Sequence, residues 1–487
     1  MKRTAAIIGG GVIGGGWAAR FLLNGWNVRV FDPSPDAEAT LAPVLAQARR
    51  ALPGLTDVAL PPEGTLSFHD TIADAVKGAN WVQESVPERL ALKHKVLAEI
   101  QETLDPEAVI GSSTSGFKPS ELQEGAKDPT QILVAHPFNP VYLMPLVEVV
   151  PGDNHDPRAV AWAKEVLTGL GMFPLHVRRE IDAHIADRFL EAVWREALWL
   201  VKDGVATTQE IDEAIRMGFG IRWAQMGLFD TYRTAGGAAG MRHFMAQFGP
   251  ALQWPWTKLM DVPEFTDDLV DLIAGQSDAQ SGHMTIPQML AARDDNLVGL
   301  LRALKANDWG AGAVLNAHDS ALRDVQGLDG LGDVTQPILT VKRSVPLDWT
   351  DYNGHMNEAR YLQAFGDATD RFMALIGCDA DYIATGGSYF TAETHIRHMD
   401  EALAGTQIEV RTQVLAGVGK KLHLFHEMNA GDRLLATGEH FLLHVSLETR
   451  KPSEPAPRIL EVLERVARAH AALPRPEGAG RAVGQRP

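Results

Sequence analysis

One short stretch constrains this chain more than any other. Residues 4–8, Thr-Ala-Ala-Ile-Ile, form an apolar run of strand length, and Gly9-x-Gly11-x-x-Gly14 follows at once, ahead of an apolar helix running to about Asn24. A second strand, residues 27–31, ends at Asp32, 18 residues beyond Gly14. Gly9, Gly11 and Gly14 permit a tight turn and a close approach of backbone to a pyrophosphate. Val12 and Ile13 open a helix whose free N–H groups face that anion, and Asp32 accepts from ribose hydroxyls. Pro33-Ser34 follow Asp32, with no arginine beside them. A 2′-phosphate would be repelled by Asp32, so the cofactor expected is NAD and not NADP.

Alternation continues beyond this unit. Residues 66–68, 79–84, 108–111 and 132–135 are strand-like and residues 88–103 helical, which predicts a parallel sheet covered on both faces over residues 1–181. From 182 to 326 the spacing is helical, and Thr207-Thr-Gln-Glu210 is a capping box. Residues 327–337 are Gly/Asp-rich and read as a linker. Residues 338–450 hold a strand (338–345), one long helix (357–376) and strands of period two. In those strands Ile408, Val410 and Val414 share one face, and Leu422, Leu424 and Met428 repeat the pattern. The tail, 451–487, carries a short helix near 459–472, and its last dozen residues are expected to lack order. The fold class is therefore multidomain: an α/β Rossmann domain, an all-α domain and an α+β domain.

Composition narrows the function. A chain of 487 residues suggests about three domains. The formal charge of −17 argues against nucleic acid as a partner. No apolar run reaches the roughly 18 residues that span a bilayer, and glycines break the N-terminal run, so neither membrane nor secretion is expected. The single Cys378 excludes an intrachain disulfide and fits a reducing cytoplasm. No metal site is expected.

His136-Pro-Phe-Asn-Pro140 follows a predicted strand, where a histidine with a near-neutral pKa suits general acid–base work. Glu148 lies in Leu-Val-Glu-Val-Val, an apolar setting that asks for a partner. Taken singly, these read as a core histidine and an edge-strand glutamate. Residues 1 to about 315 resemble the 3-hydroxyacyl-CoA dehydrogenase superfamily through the glycine fingerprint, Ser112-Ser-Thr-Ser115, His136-Pro-Phe-Asn-Pro140 and Leu146-Val-Glu-Val149. The resemblance implies a dyad of His136 as base and Glu148 as its partner. It places Ser115 on the substrate hydroxyl, Asn139 beside the reacting centre, and Glu88 and Lys93 near the nicotinamide ribose.

Asp187 stands where the superfamily often has asparagine, and a carboxylate suits a cation better than an acyl-CoA. The helical region is rich in aromatics, including Trp194, Trp199, Phe219, Trp223, Phe229, Tyr232, Trp254 and Trp256. Each alone reads as a core aromatic. Asp187 with Trp223, Phe229 and Tyr232 would suit a quaternary ammonium. On these features the region resembles the L-carnitine 3-dehydrogenase family, whose substrate is a trimethylammonium hydroxy acid.

Asp351-Tyr-Asn-Gly-His-Met-Asn357, with Ala359-Arg-Tyr361, resembles the 4-hydroxybenzoyl-CoA-type hotdog thioesterases over about 335–450. The match implies Asp351 as base or nucleophile, with His355, Asn357 and Glu358 as candidate binding groups. Asp351 as a turn residue and Glu358 as a helix-start charge are the plainer readings. Fusions of this kind occur in the carnitine dehydrogenase family, which implies L-carnitine and betainyl-CoA as substrates. A hotdog domain normally pairs, so a homodimer or higher homo-oligomer is expected. Two alternatives stay open: a short-chain 3-hydroxyacyl-CoA or gulonate-type dehydrogenase fused to a general acyl-CoA thioesterase, and a hotdog domain that only dimerises.

Overall fold

The computed structural model describes residues 3–153, 155–250, 256–258, 261, 263–264 and 266–483. The chain divides into two compact units, Met1–Ala48 with Glu63–Asn316, and Arg49–Pro62 with Ala317–Pro487. Most of the nucleotide-binding and helical regions thus fall in one unit. The division comes inside the Ala311–Val325 helix and not at 327–337. Among the described residues no helix is long and apolar enough to cross a membrane.

The first unit is built on an eight-stranded sheet. Its strands are β1 (Thr4–Ile8), β2 (Asn27–Phe31), β3 (Leu66–Phe68), β4 (Trp81–Glu84), β5 (Val109–Ser112), β6 (Ile132–Pro137), β7 (Leu146–Pro151) and β8 (Phe173–His176), in the order β3-β2-β1-β4-β5-β6-β7-β8. β1, β4 and β5 are buried along their whole length, as strands covered on both faces must be. Leu97 and Ile100 of the Leu90–Thr103 helix join Ala6, Val82, Ile110 and Val134 in the core.

Two strands depart from the expected parallel sheet: β7 runs antiparallel to β6, and β8 pairs parallel with β7. The intervening turn carries a cis Asn139–Pro140 bond, and the register sets His136 directly opposite Glu148. Arg20, in the Val12–Leu23 helix, ties this turn down by donating to the carbonyls of Tyr142, Leu170 and Gly171 at 2.6–2.8 Å. Burial lowers its pKa to about 9.

Beyond residue 182 the first unit is helical, and the Thr207–Glu210 box caps the Thr208–Ala214 helix. The second unit has a five-stranded antiparallel sheet of β9 (Ile338–Ser344), β10 (Gly387–His398), β11 (Gln407–Val418), β12 (Lys421–Ala430) and β13 (Arg433–Ser446), in the order β10-β13-β12-β11-β9. The Glu358–Leu375 helix lies on it, with Tyr361, Phe365 and Ala368 against Val341, Val410, Met428 and Ala436. The tail helix is Pro457–His470. Residues 476–483 fall in the stretch expected to lack order. They include a turn, and the Gly480 N–H donates to Glu439 at 2.7 Å. Residues 484–487 lie outside the described residues.

Candidate active sites

The glycine turn is built to hold a nucleotide. Gly9 has φ +99°, and a Cβ there would stand 2.6 Å from the Ser85 carbonyl oxygen. A Cβ on Gly14 would stand 1.8 Å from the Gly9 oxygen, whereas Gly11 faces open space. That is the cradle a pyrophosphate needs, with Val12 and Ile13 opening the helix behind it. Asp32 accepts from Gly10 N–H at 2.6 Å and Ser34 N–H at 2.8 Å, which fixes its carboxylate at the turn.

Lys93 is only 1% exposed. Its Nζ lies 2.9 and 3.1 Å from the two Glu84 oxygens and 3.2 Å from Glu88. The other Glu88 oxygen accepts from Thr114 and from the N–H groups of Ser115 and Gly116. Burial pushes the Glu88 carboxyl up, but Thr114, Lys93 and Gly116 outweigh it and hold the group below its ordinary range. Glu84 was not singled out from the sequence. Its signal was a charge at the end of a strand otherwise buried.

The cross-strand register brings His136 Nδ1 to 3.1 Å from Glu148 Oε2. Glu148 is fully buried, and its other oxygen accepts from Ile185 and Ala186 N–H at 2.9 and 3.0 Å, at the start of the Ala186–Lys202 helix. Burial raises the Glu148 carboxyl, but the His136 bond and those two N–H groups hold it below its ordinary range. An anionic Glu148 calls for a proton on Nδ1, and in the neutral tautomer of that kind Nε2 carries the lone pair. Asp187 Oδ2 lies 3.6 Å from that Nε2. Burial raises the Asp187 carboxyl, with His136 pulling it back.

His184 completes the wall. It is fully buried at φ +49°, its ring centroid 5.6 Å from that of His136, and its Nε2 donates to Thr114 O at 3.3 Å. Burial lowers its pKa, so it is held neutral. No sequence pattern pointed to it. Ser115 is exposed one residue beyond Thr114, and Asn139 is exposed in the β6–β7 turn. No hydrogen bond holds either side chain among the described residues.

The aromatics are not gathered in the same way. Trp223, Phe229 and Tyr232 lie on the Gly220–Ala235 helix. Trp223 packs on Phe219, Tyr232 stacks on Phe244, and Phe229 is 71% exposed. Among the described residues no ring contact joins these three to His136. Trp254 lies outside the described residues.

In the second unit, Asp351 opens a tight turn. Its Oδ1 accepts from Asn353 and His355 N–H, its own N–H donates to His355 O, and Gly354 has φ +79°. Asn357 caps the Glu358–Leu375 helix through Ala359 N–H at 3.0 Å. His355 Nε2 lies 3.4 Å from Glu401, and Glu358 is exposed in the first turn. A carboxylate beside a helix N-terminus can deliver a base or nucleophile next to N–H donors.

Residues 4–181 match the family of the 3-hydroxyacyl-CoA dehydrogenase NAD binding domain, 184–265 its C-terminal domain, and 345–463 the thioesterase-like superfamily. The chain is 72% identical over 482 residues to an L-carnitine dehydrogenase/betainyl-CoA thioesterase of Ruegeria pomeroyi, covering 99% of each. It is 54% identical to the protein of that name from Agrobacterium fabrum, covering 98% of this chain and 97% of that relative. The crystal structure of 5-formyl-3-hydroxy-2-methylpyridine 4-carboxylic acid 5-dehydrogenase, an NAD+ dependent dismutase, is 29% identical with a TM-score of 0.55. That match covers 63% of this chain and 99% of the other.

Proposed function

Because the chain belongs to the family of bifunctional L-carnitine dehydrogenase/betainyl-CoA thioesterases, we propose that its first unit oxidises L-carnitine to 3-dehydrocarnitine and its second hydrolyses betainyl-CoA to betaine and CoA. NAD, held by Gly9, Gly11, Val12, Ile13, Gly14 and Asp32, supplies the hydride acceptor when bound. Glu88 and Lys93 would line its nicotinamide side. His136 Nε2 takes the hydroxyl proton, and Glu148 stabilises the imidazolium that results. Ser115 and Asn139 orient the hydroxyl.

The observation that carries the choice of substrate is Asp187, 3.6 Å from Nε2. In carnitine only two carbons separate the hydroxyl oxygen from the ammonium nitrogen, so a carboxylate beside the base lies within reach of the cation. A 3-hydroxyacyl-CoA has no cation there. Trp223, Phe229 and Tyr232 are the candidate aromatic contributors. In the second unit Asp351 acts on the thioester as base or nucleophile, with His355, Asn357 and Glu358 lining the site.

The assembly is a homodimer or higher homo-oligomer in the cytoplasm. Two features support it: the single buried Cys378, and the apolar side chains the helical region leaves exposed, among them Phe189, Leu190 and Trp194.

The test is NADH formation with L-carnitine against 3-hydroxybutyryl-CoA. Turnover of carnitine is expected, and its absence overturns the dehydrogenase reading. Asp351→Ala should abolish betainyl-CoA hydrolysis and spare carnitine oxidation. Hydrolysis that survives removes Asp351 from its role.

A further inference from the structure

Residues 49–62 begin in the last turn of the Ala37–Ala51 helix of the nucleotide-binding region, yet they belong to the second compact unit. They are anchored there by three kinds of contact. Leu52, Leu55, Val58 and Ala59 are buried, each at most 3% exposed. Ala59 N–H donates to Lys342 O of β9 at 2.6 Å, and its carbonyl accepts from Gln326 at 2.5 Å. Since β9 is an edge strand, a segment bonded to it covers main-chain groups that an open edge would leave to another chain.

The third contact is electrostatic. Arg343, on β9, is 2% exposed, a costly setting for a guanidinium without partners. Its Nη2 lies 2.8 Å from Asp57 Oδ1, and its Nη1 lies 3.6 Å from Asp367 of the Glu358–Leu375 helix. The same guanidinium sits 4.0 Å from the centroid of the Trp349 ring. Trp349 is buried, and its carbonyl accepts from Asn357 N–H at 2.9 Å, the residue that caps the helix and closes the Asp351 turn. A continuous chain of contacts therefore runs from Asp57 through Arg343 and Trp349 to Asn357.

We propose that residues 49–62 are a working part of the thioesterase unit and that Asp57 is a positioning residue for the Asp351–Asn357 loop, acting through Arg343 and Trp349. This rests on the thioesterase reading for its catalytic consequence and on the contacts alone for its structural one. Without Asp57, Arg343 loses the carboxylate at 2.8 Å that helps to hold it on the Trp349 face. The loop then loses the aim that thioester attack requires.

The experiment uses the full chain with Asp57→Ala and Asp57→Glu. Asp57→Ala should lower kcat for betainyl-CoA hydrolysis on the order of tenfold while KM stays within about twofold, since misplacement acts on the chemical step. Carnitine oxidation should be unchanged, and Asp57→Glu should restore most of the hydrolysis. Hydrogen exchange followed by mass spectrometry gives a readout independent of activity: in Asp57→Ala, peptides spanning 349–360 should exchange faster and those of β1 should not. Unchanged exchange at 349–360 overturns the proposal, as does an equal loss of both activities. If the unsubstituted enzyme does not hydrolyse betainyl-CoA, the thioesterase reading falls, and the exchange experiment still decides the role of Asp57.

Discussion

Two carboxylates flank one imidazole, and they do different work. Glu148 is buried, anionic and bound at Nδ1, so it sets the tautomer and steadies the charge that His136 acquires. Glu148→Gln keeps the shape but lacks the charge, and should lower kcat for carnitine about a hundredfold or more, measured by NADH formation. Asp187 faces Nε2 and is a fifth exposed, and its proposed role is to meet the substrate cation. Asp187→Asn should raise the carnitine KM roughly tenfold and leave the NAD KM alone, because only the cation contact weakens. An unchanged carnitine KM would remove Asp187 from substrate recognition. Residues 136 and 148 are legible together because their motifs come in family order, whereas each taken singly reads as a residue of the core or of a strand edge. His184 is not legible. Its place depends on a left-handed backbone and a fold that returns to the 113–117 loop, and neither leaves a mark on sequence spacing.

At the scale of elements, the second unit hides a polar seam. Thr369 donates to Phe365 O at 2.9 Å, so its oxygen accepts from both His426 Nε2 and His440 Nδ1, at 3.0 and 3.1 Å. A neutral His426 then accepts from Thr412 at Nδ1, and Thr412 meets Thr340 at 2.8 Å. The seam crosses β9, β11, β12 and β13 beneath the helix. It was readable only in part: Thr412 falls on the same face as Ile408, Val410 and Val414, a polar residue on an apolar parity, but its partners lie on separate strands. Burial holds His426 well below its ordinary pKa and His440 at about 4. Both are neutral in the folded unit, whereas the unfolded chain protonates them near 6.5. Stability is therefore complete above about pH 6.5 and falls as pH drops from there toward 4, by up to about 1.4 kcal/mol per pH unit per histidine. Denaturant melts of the full chain across that range test it, and His440→Leu should remove one histidine's share of the slope. A flat profile would show that the histidines are not held neutral.

For the whole molecule, family matches fall on three stretches of the chain, while packing groups it into two compact units, with most of the nucleotide-binding and helical regions in one. The Gly/Asp-rich composition of 327–337 reads as a linker, but compactness is set by long-range contact, and the division into units falls within a helix. The placement of residues 49–62 was invisible for the same reason. The exposed apolar faces of the helical region are costly in water unless covered by a second copy. Light scattering should therefore give at least twice the 53.0 kDa mass of the chain, and a monomer would contradict the assembly proposed.

Glu148 has one more consequence. One of its oxygens serves the catalytic ring and the other receives the first turn of the Ala186–Lys202 helix. A shift of that helix by about 1 Å would part the carboxylate from one claimant or the other. On the proposed dehydrogenase mechanism, the helix that carries Asp187 would thereby also govern the orientation of the proton acceptor. The carboxylate would then work as an interlock: with the helical part ajar, His136 loses the partner that aims its ring.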